Sequence, residues 1–146
     1  MKIHLSIILV SISLLSACSA GYEKVPTDAI DQTELAKAKT LALKILSGCE
    51  TGDFPTLSTA EATSTVIDGL TAQRQQEACD YLRKQYGTFV GLSIGEVLQT
   101  AETADFRIYR FKGRFQETED LAEVRVTLDK QGKMSGIWTM PWADGL

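Results

Sequence analysis

The chain has 146 residues, a formal net charge of −4 and 44% hydrophobic residues. That length suits one domain with one core, and the apolar content is typical of a globular protein rather than a disordered one. The acidic balance argues against a nucleic-acid partner, because phosphate neutralisation requires a surplus of basic side chains.

Residues 1–17 are predicted to be an export signal peptide. Lys2 supplies positive charge, and an apolar stretch diluted by serines follows from Leu5 to Leu15. This stretch is too short for a transmembrane helix, which needs about 20 apolar residues. It ends in the sequence LSAC, residues 15–18. That sequence resembles the lipobox of bacterial lipoproteins.

The lipobox resemblance implies that the signal peptide is cut before Cys18 and that Cys18 carries the lipid. Acyl chains contribute about 0.8 kcal/mol per buried methylene, so such an anchor is stable. By resemblance to Gram-negative lipoproteins, Ser19 after the lipidated cysteine implies that the protein is anchored at the periplasmic face of the outer membrane. Residues 18–30 are then a lipidated tether and residues 31–146 a single domain. The alternative is a plain secretory signal with an unrelated cysteine.

The cysteine and histidine counts restrict the chemistry. With Cys18 assigned to lipid, Cys49 and Cys79 remain as a pair, which favours a disulfide in an oxidising periplasm. Two buried thiols are the alternative. The single histidine, His4, lies in the predicted signal peptide. Its removal excludes the usual histidine-dependent catalytic pairs and zinc sites, so we expect no catalytic residues, no metal and no cofactor.

The first half of the folded part is predicted to be helical. Apolar spacing and turn residues predict helices over residues 31–49, 58–67 and 71–86. Ser58 and Glu61 have the capping-box pattern at the start of the second helix. Cys49 and Cys79 lie on the apolar faces of the first and third helices, so their bond would join these two.

After Phe89 the hydrophobic period becomes two. This predicts four strands over residues 93–101, 105–115, 121–128 and 134–141. In the second strand, Phe106 and Phe111 fall on opposite faces, which indicates a bulge near Tyr109 and Arg110 or apolar cover on both sides. Helices followed by antiparallel strands predict an α+β domain.

Three helices followed by a four-stranded meander resemble the nuclear transport factor 2-like superfamily. The local features are residues 52–54 after the first helix and the closing strand pair, residues 124–128 and 134–138. The resemblance implies N-terminal helices packed on a curved, cone-like antiparallel sheet, with a pocket at its open end. It also implies a homodimer that forms through the outer face of the sheet. Cystatin-like folds and other α+β sheets are the alternatives.

The same superfamily includes ketosteroid isomerase and polyketide cyclases, so an enzyme that uses carboxylate and tyrosine groups is the alternative function. The catalytic residues known in these enzymes have no match at assignable positions of this sequence. The acidic and phenolic candidates are Asp80, Asp105, Tyr81, Tyr86 and Tyr109.

Aromatic residues on the predicted sheet favour binding over catalysis. We expect a non-catalytic, membrane-anchored envelope lipoprotein that binds a small apolar ligand or an envelope protein partner. The residues singled out for binding are Tyr109, Arg110, Phe111, Trp138 and Trp142. The aromatic residues have core packing as their alternative role. Arg110 alternates with Lys112 and Arg114, a pattern that suits an anionic ligand or a solvated outer face.

Overall fold

A computed structural model describes residues 21–145 of the chain. They form helices α1 (Gln32–Thr51), α2 (Ser64–Gly69) and α3 (Ala72–Tyr86), and strands β1 (Tyr22–Lys24), β2 (Phe89–Thr100), β3 (Phe106–Phe115), β4 (Ala122–Asp129) and β5 (Met134–Pro141). The strands form one antiparallel sheet in the order β1-β2-β3-β4-β5. The predicted α+β class is confirmed.

The expectation of four strands is wrong, because β1 adds a fifth at the edge of the sheet. Tyr22 pairs with Thr100 and Lys24 pairs with Leu98. The next residue, Val25, donates its backbone N–H to the Val97 carbonyl at 2.9 Å. Pairing then ends at Pro26, which has no N–H to donate. A segment predicted as tether therefore contributes a strand that is too short to show a periodic pattern.

Helix α1 begins and ends at sequence signals for helix termini. The Asp31 side chain accepts hydrogen bonds from the backbone N–H groups of Thr33 and Glu34, at 2.8 and 3.1 Å. These bonds satisfy donors that have no partner within the helix. At the other end, Gly52 has a φ of 74°, a left-handed conformation that glycine adopts without strain.

Helix α2 begins at Ser64, later than the capping-box pattern predicts. The Ser58 N–H does donate to Glu61 at 2.8 Å, as that pattern requires. The chain then leaves the helical path, because Thr63 donates to the Met134 carbonyl and Met134 donates to the Glu61 carbonyl, both at 2.9 Å. A tertiary contact with β5 thus replaces the first turn of the predicted helix.

Helices α1 and α3 pack on one face of the sheet, which we call the inner face, and the opposite face is the outer face. The inner face includes Tyr109, Phe111, Val124 and Val126, all with 0% exposure. The irregularity predicted near Tyr109 and Arg110 lies instead in the neighbouring strand. A register shift between Ile94 and Glu96 leaves Gly95 as an extra residue in β2.

The predicted disulfide is confirmed. Cys49 and Cys79 are bonded, with their Cα atoms 5.0 Å apart, and they join the C-terminal part of α1 to the middle of α3. Within residues 21–145, no helix combines the length and apolar character needed to cross a bilayer.

Candidate binding surface

Strand β3 carries three of the residues singled out for binding, and it divides them between the two faces. Tyr109 and Phe111 pair across the strands with Val97 and Ile94, and both are part of the core cluster. Arg110 lies between them, so its side chain projects to the outer face. Both aromatic side chains fill the core, where packing against α1 and its neighbours is their observed role.

The Tyr109 hydroxyl makes a polar contact at the border of this core. It donates to the Glu34 carboxylate of α1 at 3.0 Å, and Arg107 forms an ion pair with the same oxygen. Burial raises the pKa of Tyr109 above its ordinary value, and the hydrogen bond to Glu34 raises it further. The phenol therefore stays protonated near neutrality and anchors the first turn of α1 to β3.

Arg110 lies in a buried ion cluster on the outer face, which is the face opposite α1 and α3. Its Nε and Nη2 atoms donate to the two carboxylate oxygens of Glu123 at 2.9 and 2.6 Å. Its Nη1 atom pairs with Glu96, and Nη2 also donates to the Ala143 carbonyl at 2.7 Å. With 0% exposure, the guanidinium has protein partners and is closed to solvent.

Glu123 is the acidic centre of this cluster, which we call the Arg110 cluster: Arg110, Glu96, Glu123 and Arg125. Arg125 Nε donates to Glu123 Oε1 at 2.6 Å. Burial by itself would raise the pKa of Glu123, but the hydrogen bonds from Arg110 and Arg125 outweigh burial and hold this pKa below its ordinary value. The carboxylate therefore remains ionised in spite of its burial.

Trp142 covers the Arg110 cluster from the solvent side. The centre of its ring lies 4.6 Å from Arg110 Cζ and 4.7 Å from Lys112 Nζ, so the ring contacts two cations. Its backbone N–H donates to the Leu121 carbonyl at 2.9 Å, which fixes the C-terminal segment after β5. Gly95 leaves space for the ring, since a side chain there would overlap it. Trp142 therefore has a packing role.

The remaining candidate, Trp138, lines an open groove on the outer face. The groove has a volume of about 640 Å³ and is also lined by Tyr22, Phe106, Asp105 and Asp129. We call it the aromatic groove. Trp138 is 50% exposed, Tyr22 54% and Phe106 42%, so the three aromatic side chains present much of their surface to solvent.

Two local features shape one wall of the aromatic groove. Gly136 lies two residues before Trp138 on the same face, and a side chain at Gly136 would overlap the indole ring, so the glycine lets the ring lie flat along β5. Asp129 accepts the backbone N–H groups of Gln131 and Lys133, both at 2.9 Å, and thereby holds the β4–β5 turn. The wall is therefore formed by ordered elements.

Sequence reasoning found Trp138 but missed Tyr22 and Phe106. Phe106 carries a signal, because it falls on the strand face opposite Phe111 and so points away from the core. Tyr22 carries none, since β1 has no periodic pattern of its own. Only the pairing of Tyr22 with Thr100 brings it to the sheet.

The acidic and phenolic candidates for catalysis lie in different settings. Asp80 and Tyr81 are exposed on α3, and Tyr86 packs against Phe115 with their ring centres 5.3 Å apart. Asp105 lines the aromatic groove, while Tyr109 is in the core. Over residues 21–145, no group of three or more histidine, cysteine or acidic residues is arranged to hold a metal ion.

Known proteins add no assignment to this geometry. The chain matches no protein-family model, no curated protein and no solved structure.

Proposed function

We propose that this chain is a membrane-anchored envelope lipoprotein whose domain binds a small apolar ligand in the aromatic groove, without catalysis. The observation that carries the proposal is the groove itself, an open groove of about 640 Å³ that three exposed aromatic side chains line together with polar residues. Small-molecule sites typically have volumes of about 300–1,000 Å³, apolar walls and a few polar groups. Clustered exposed apolar surface of this kind marks an interaction site more often than scattered residues do.

The polar residues of the groove restrict the chemistry of the ligand. Asp105 and Asp129 place two carboxylates at its edge, with Lys130 nearby. An apolar body that also carries a hydrogen-bond donor or a positive charge is therefore favoured over an anionic amphiphile.

The buried state of Tyr109 favours binding over the isomerase or cyclase alternative. Its hydroxyl is engaged by Glu34, and its side chain is fully enclosed by the core. A catalytic phenol must reach the reacting atoms of a substrate, which this position does not permit. An envelope protein that docks on the same aromatic side chains is the alternative occupant.

Nile red, a neutral apolar dye, tests the groove directly. We expect its fluorescence to rise on binding to the purified protein, and we expect the double variant Phe106→Ala/Trp138→Ala to bind at least about tenfold more weakly, because truncating two aromatic anchors removes most of the apolar contact. Tyr81→Ala is the matched control. Tyr81 is 46% exposed but lies on α3, outside the groove.

Two results would count against the ligand proposal. Equal dye affinity in the wild type and the double variant would show that the dye binds elsewhere. No dye binding by the wild type would reject a small apolar ligand. The exposed aromatic side chains of the groove would then favour the protein partner.

The membrane anchor rests on the sequence of residues 1–18 alone, that is on the predicted signal peptide and the LSAC sequence that ends it, since residues 1–20 lie outside the described residues. We expect the mature protein to begin at Cys18, to carry acyl chains and to fractionate with the membrane. Cys18→Ser should abolish the lipid and release the protein, as measured by intact mass and fractionation. Soluble protein with an unmodified Cys18 thiol would contradict the anchor. Placement at the periplasmic face of the outer membrane rests on Ser19 and belongs to the same proposal.

The cone-like, nuclear transport factor 2-like shape is also part of this proposal. Three helices precede β2–β5, and α1 and α3 pack on one face of that sheet, as the resemblance implies. An experimental structure in which β2–β5 form a flat sheet would contradict it.

A further inference from the structure

The aromatic groove combines exposed rings with two carboxylates that have no cationic partner. Asp105 and Asp129 both line it, and neither belongs to an ion pair within residues 21–145. Asp129 holds the β4–β5 turn through its Oδ1 atom, which accepts both backbone N–H groups. The lining residues include one basic side chain, Lys130, so acidic groups outnumber basic ones in the groove.

Strand pairing sets the rings and one carboxylate beside one another. Phe106 lies directly opposite Asp129 on the neighbouring strand, and the Cβ atoms of such pairs are about 5 Å apart. Gly136 pairs with Thr127, which lies two residues before Asp129 on the same face of β4, and the far edge of the Trp138 ring lies over Gly136. Asp129 on β4 is therefore flanked by Phe106 on β3 and by the Trp138 ring on β5.

The two tryptophans of the chain differ in what lies over their rings. Arg110 and Lys112 lie against the Trp142 ring, at 4.6 and 4.7 Å from its centre. These are the cation–ring contacts found in residues 21–145, so no lysine or arginine of that part lies over a ring of the aromatic groove. An aromatic face attracts positive charge because its π electrons make it negative. The exposed Trp138 ring is therefore available to a cation from outside the chain.

We propose that the ligand of the aromatic groove is an organic cation of the quaternary ammonium class. Its methyl groups would contact the rings of Trp138, Phe106 and Tyr22, and its charge would be balanced by Asp105 and Asp129. This inference rests on the proposed function, because it names the ligand class of the same site.

Charge and hydration select this class. Two unpaired carboxylates favour a cation over a neutral or anionic apolar ligand. A primary ammonium is a compact, strongly hydrated charge with three N–H donors, which aromatic faces do not satisfy. A quaternary ammonium has no N–H donor and spreads its charge over apolar methyl groups, so three exposed rings can replace the water around it.

Choline and two close analogues test the charge directly. Dimethylbutanol, the neutral isostere of choline, has a carbon atom in place of the charged nitrogen, and ethanolamine is the primary ammonium counterpart. We expect choline to bind the purified protein at least about tenfold more tightly than either analogue, measured by NMR titration at low salt. The indole N–H signal of Trp138 should shift. That of Trp142 should change little, since this group donates to Asp144 outside the groove.

Two variants separate the carboxylates from the ring. Asp105→Asn/Asp129→Asn removes both charges but keeps an oxygen acceptor for the turn, and it should weaken choline binding at least about fivefold. Trp138→Leu keeps an apolar side chain without a ring, and it should reduce the preference for choline over dimethylbutanol at least about threefold. Asp80→Asn is the matched control and should bind choline like the wild type, because Asp80 is exposed on α3, outside the groove.

Several results would overturn the cation assignment. These are equal affinity for choline and dimethylbutanol, ethanolamine binding as tight as that of choline, no choline binding by the wild type, or choline binding that both variants leave unchanged. The Nile red measurement separates this failure from that of the proposed function. Dye binding that depends on Phe106 and Trp138, without a preference for choline, would reject the quaternary ammonium and retain the apolar ligand site.

Discussion

At the scale of single residues, the sequence predicts the sheet face on which Arg110 lies, but it does not predict the role of this side chain. Alternation with Lys112 and Arg114 correctly places it on the outer face of β3. Its partners Glu96 and Glu123 lie 14 and 13 residues away along the chain, on the two neighbouring strands. Only strand pairing brings these carboxylates to the guanidinium, and only the C-terminal segment covers them.

Replacing Arg110 should be strongly destabilising. Arg110→Met leaves Glu123 buried at 1% exposure with one cationic partner fewer, so we expect a loss of about 3–5 kcal/mol in the free energy of unfolding, measured by urea denaturation. Arg114→Met is the control, because Arg114 lies exposed on the same face of β3, four residues further along the chain. We expect it to change stability by less than about 0.5 kcal/mol.

The comparison between these two variants decides the role of the cluster. If both variants lost a similarly small amount of the free energy of unfolding, Arg110 would behave as a surface charge. That result would contradict its enclosed geometry. A further test is the Trp142→Ala variant, which should lower stability by removing the cover from the same ion pair.

At the scale of elements, the disulfide was predictable because two independent patterns agree on it. Parity leaves Cys49 and Cys79 as a pair once Cys18 is assigned to lipid, and apolar periodicity places both on buried helix faces. Helix α1 and helix α3 meet along those faces, as their core residues Ala42, Leu46 and Leu82 show. Proximity of the two cysteines follows from the packing of the helices.

Removal of the disulfide should cost a large part of the stability. The bond closes a segment with a sequence separation of 30, which in the chain-entropy model is worth about 3–4 kcal/mol. We expect Cys49→Ala/Cys79→Ala to lose about that amount, measured by urea denaturation without reductant. Reductant should lower the stability of the wild type and leave the double variant unchanged. A wild type insensitive to reductant after complete thiol release would contradict this contribution.

The elements that sequence reasoning missed are those fixed by distant partners. Strand β1 has three residues, which is too few for a period of two to be recognised. The start of α2 is set by the bonds between Thr63 and Met134, whereas the capping-box pattern is local. Short elements gain most of their stability from tertiary contacts, so local propensity is a weak guide to them.

At the scale of the whole molecule, the sheet has one face for the core and one face that is partly covered. Helices α1 and α3 bury the inner face, and the C-terminal segment covers the Arg110 cluster on the outer face. The aromatic groove is a surface of the sheet that residues 21–145 leave open. The proposed ligand therefore binds a part of the sheet that the described chain does not itself cover.

The sequence by itself determined the α+β order, the boundaries of β5, the faces of β4 and the pairing of Cys49 with Cys79, because these depend on local periodicity and on counts. Tertiary structure alone decided the burial of Arg110, the fifth strand and the grouping of Tyr22, Phe106 and Trp138 around one groove. These three features depend on which strands become neighbours. Strand pairing joins residues that are far apart in the chain, and no local pattern records that choice.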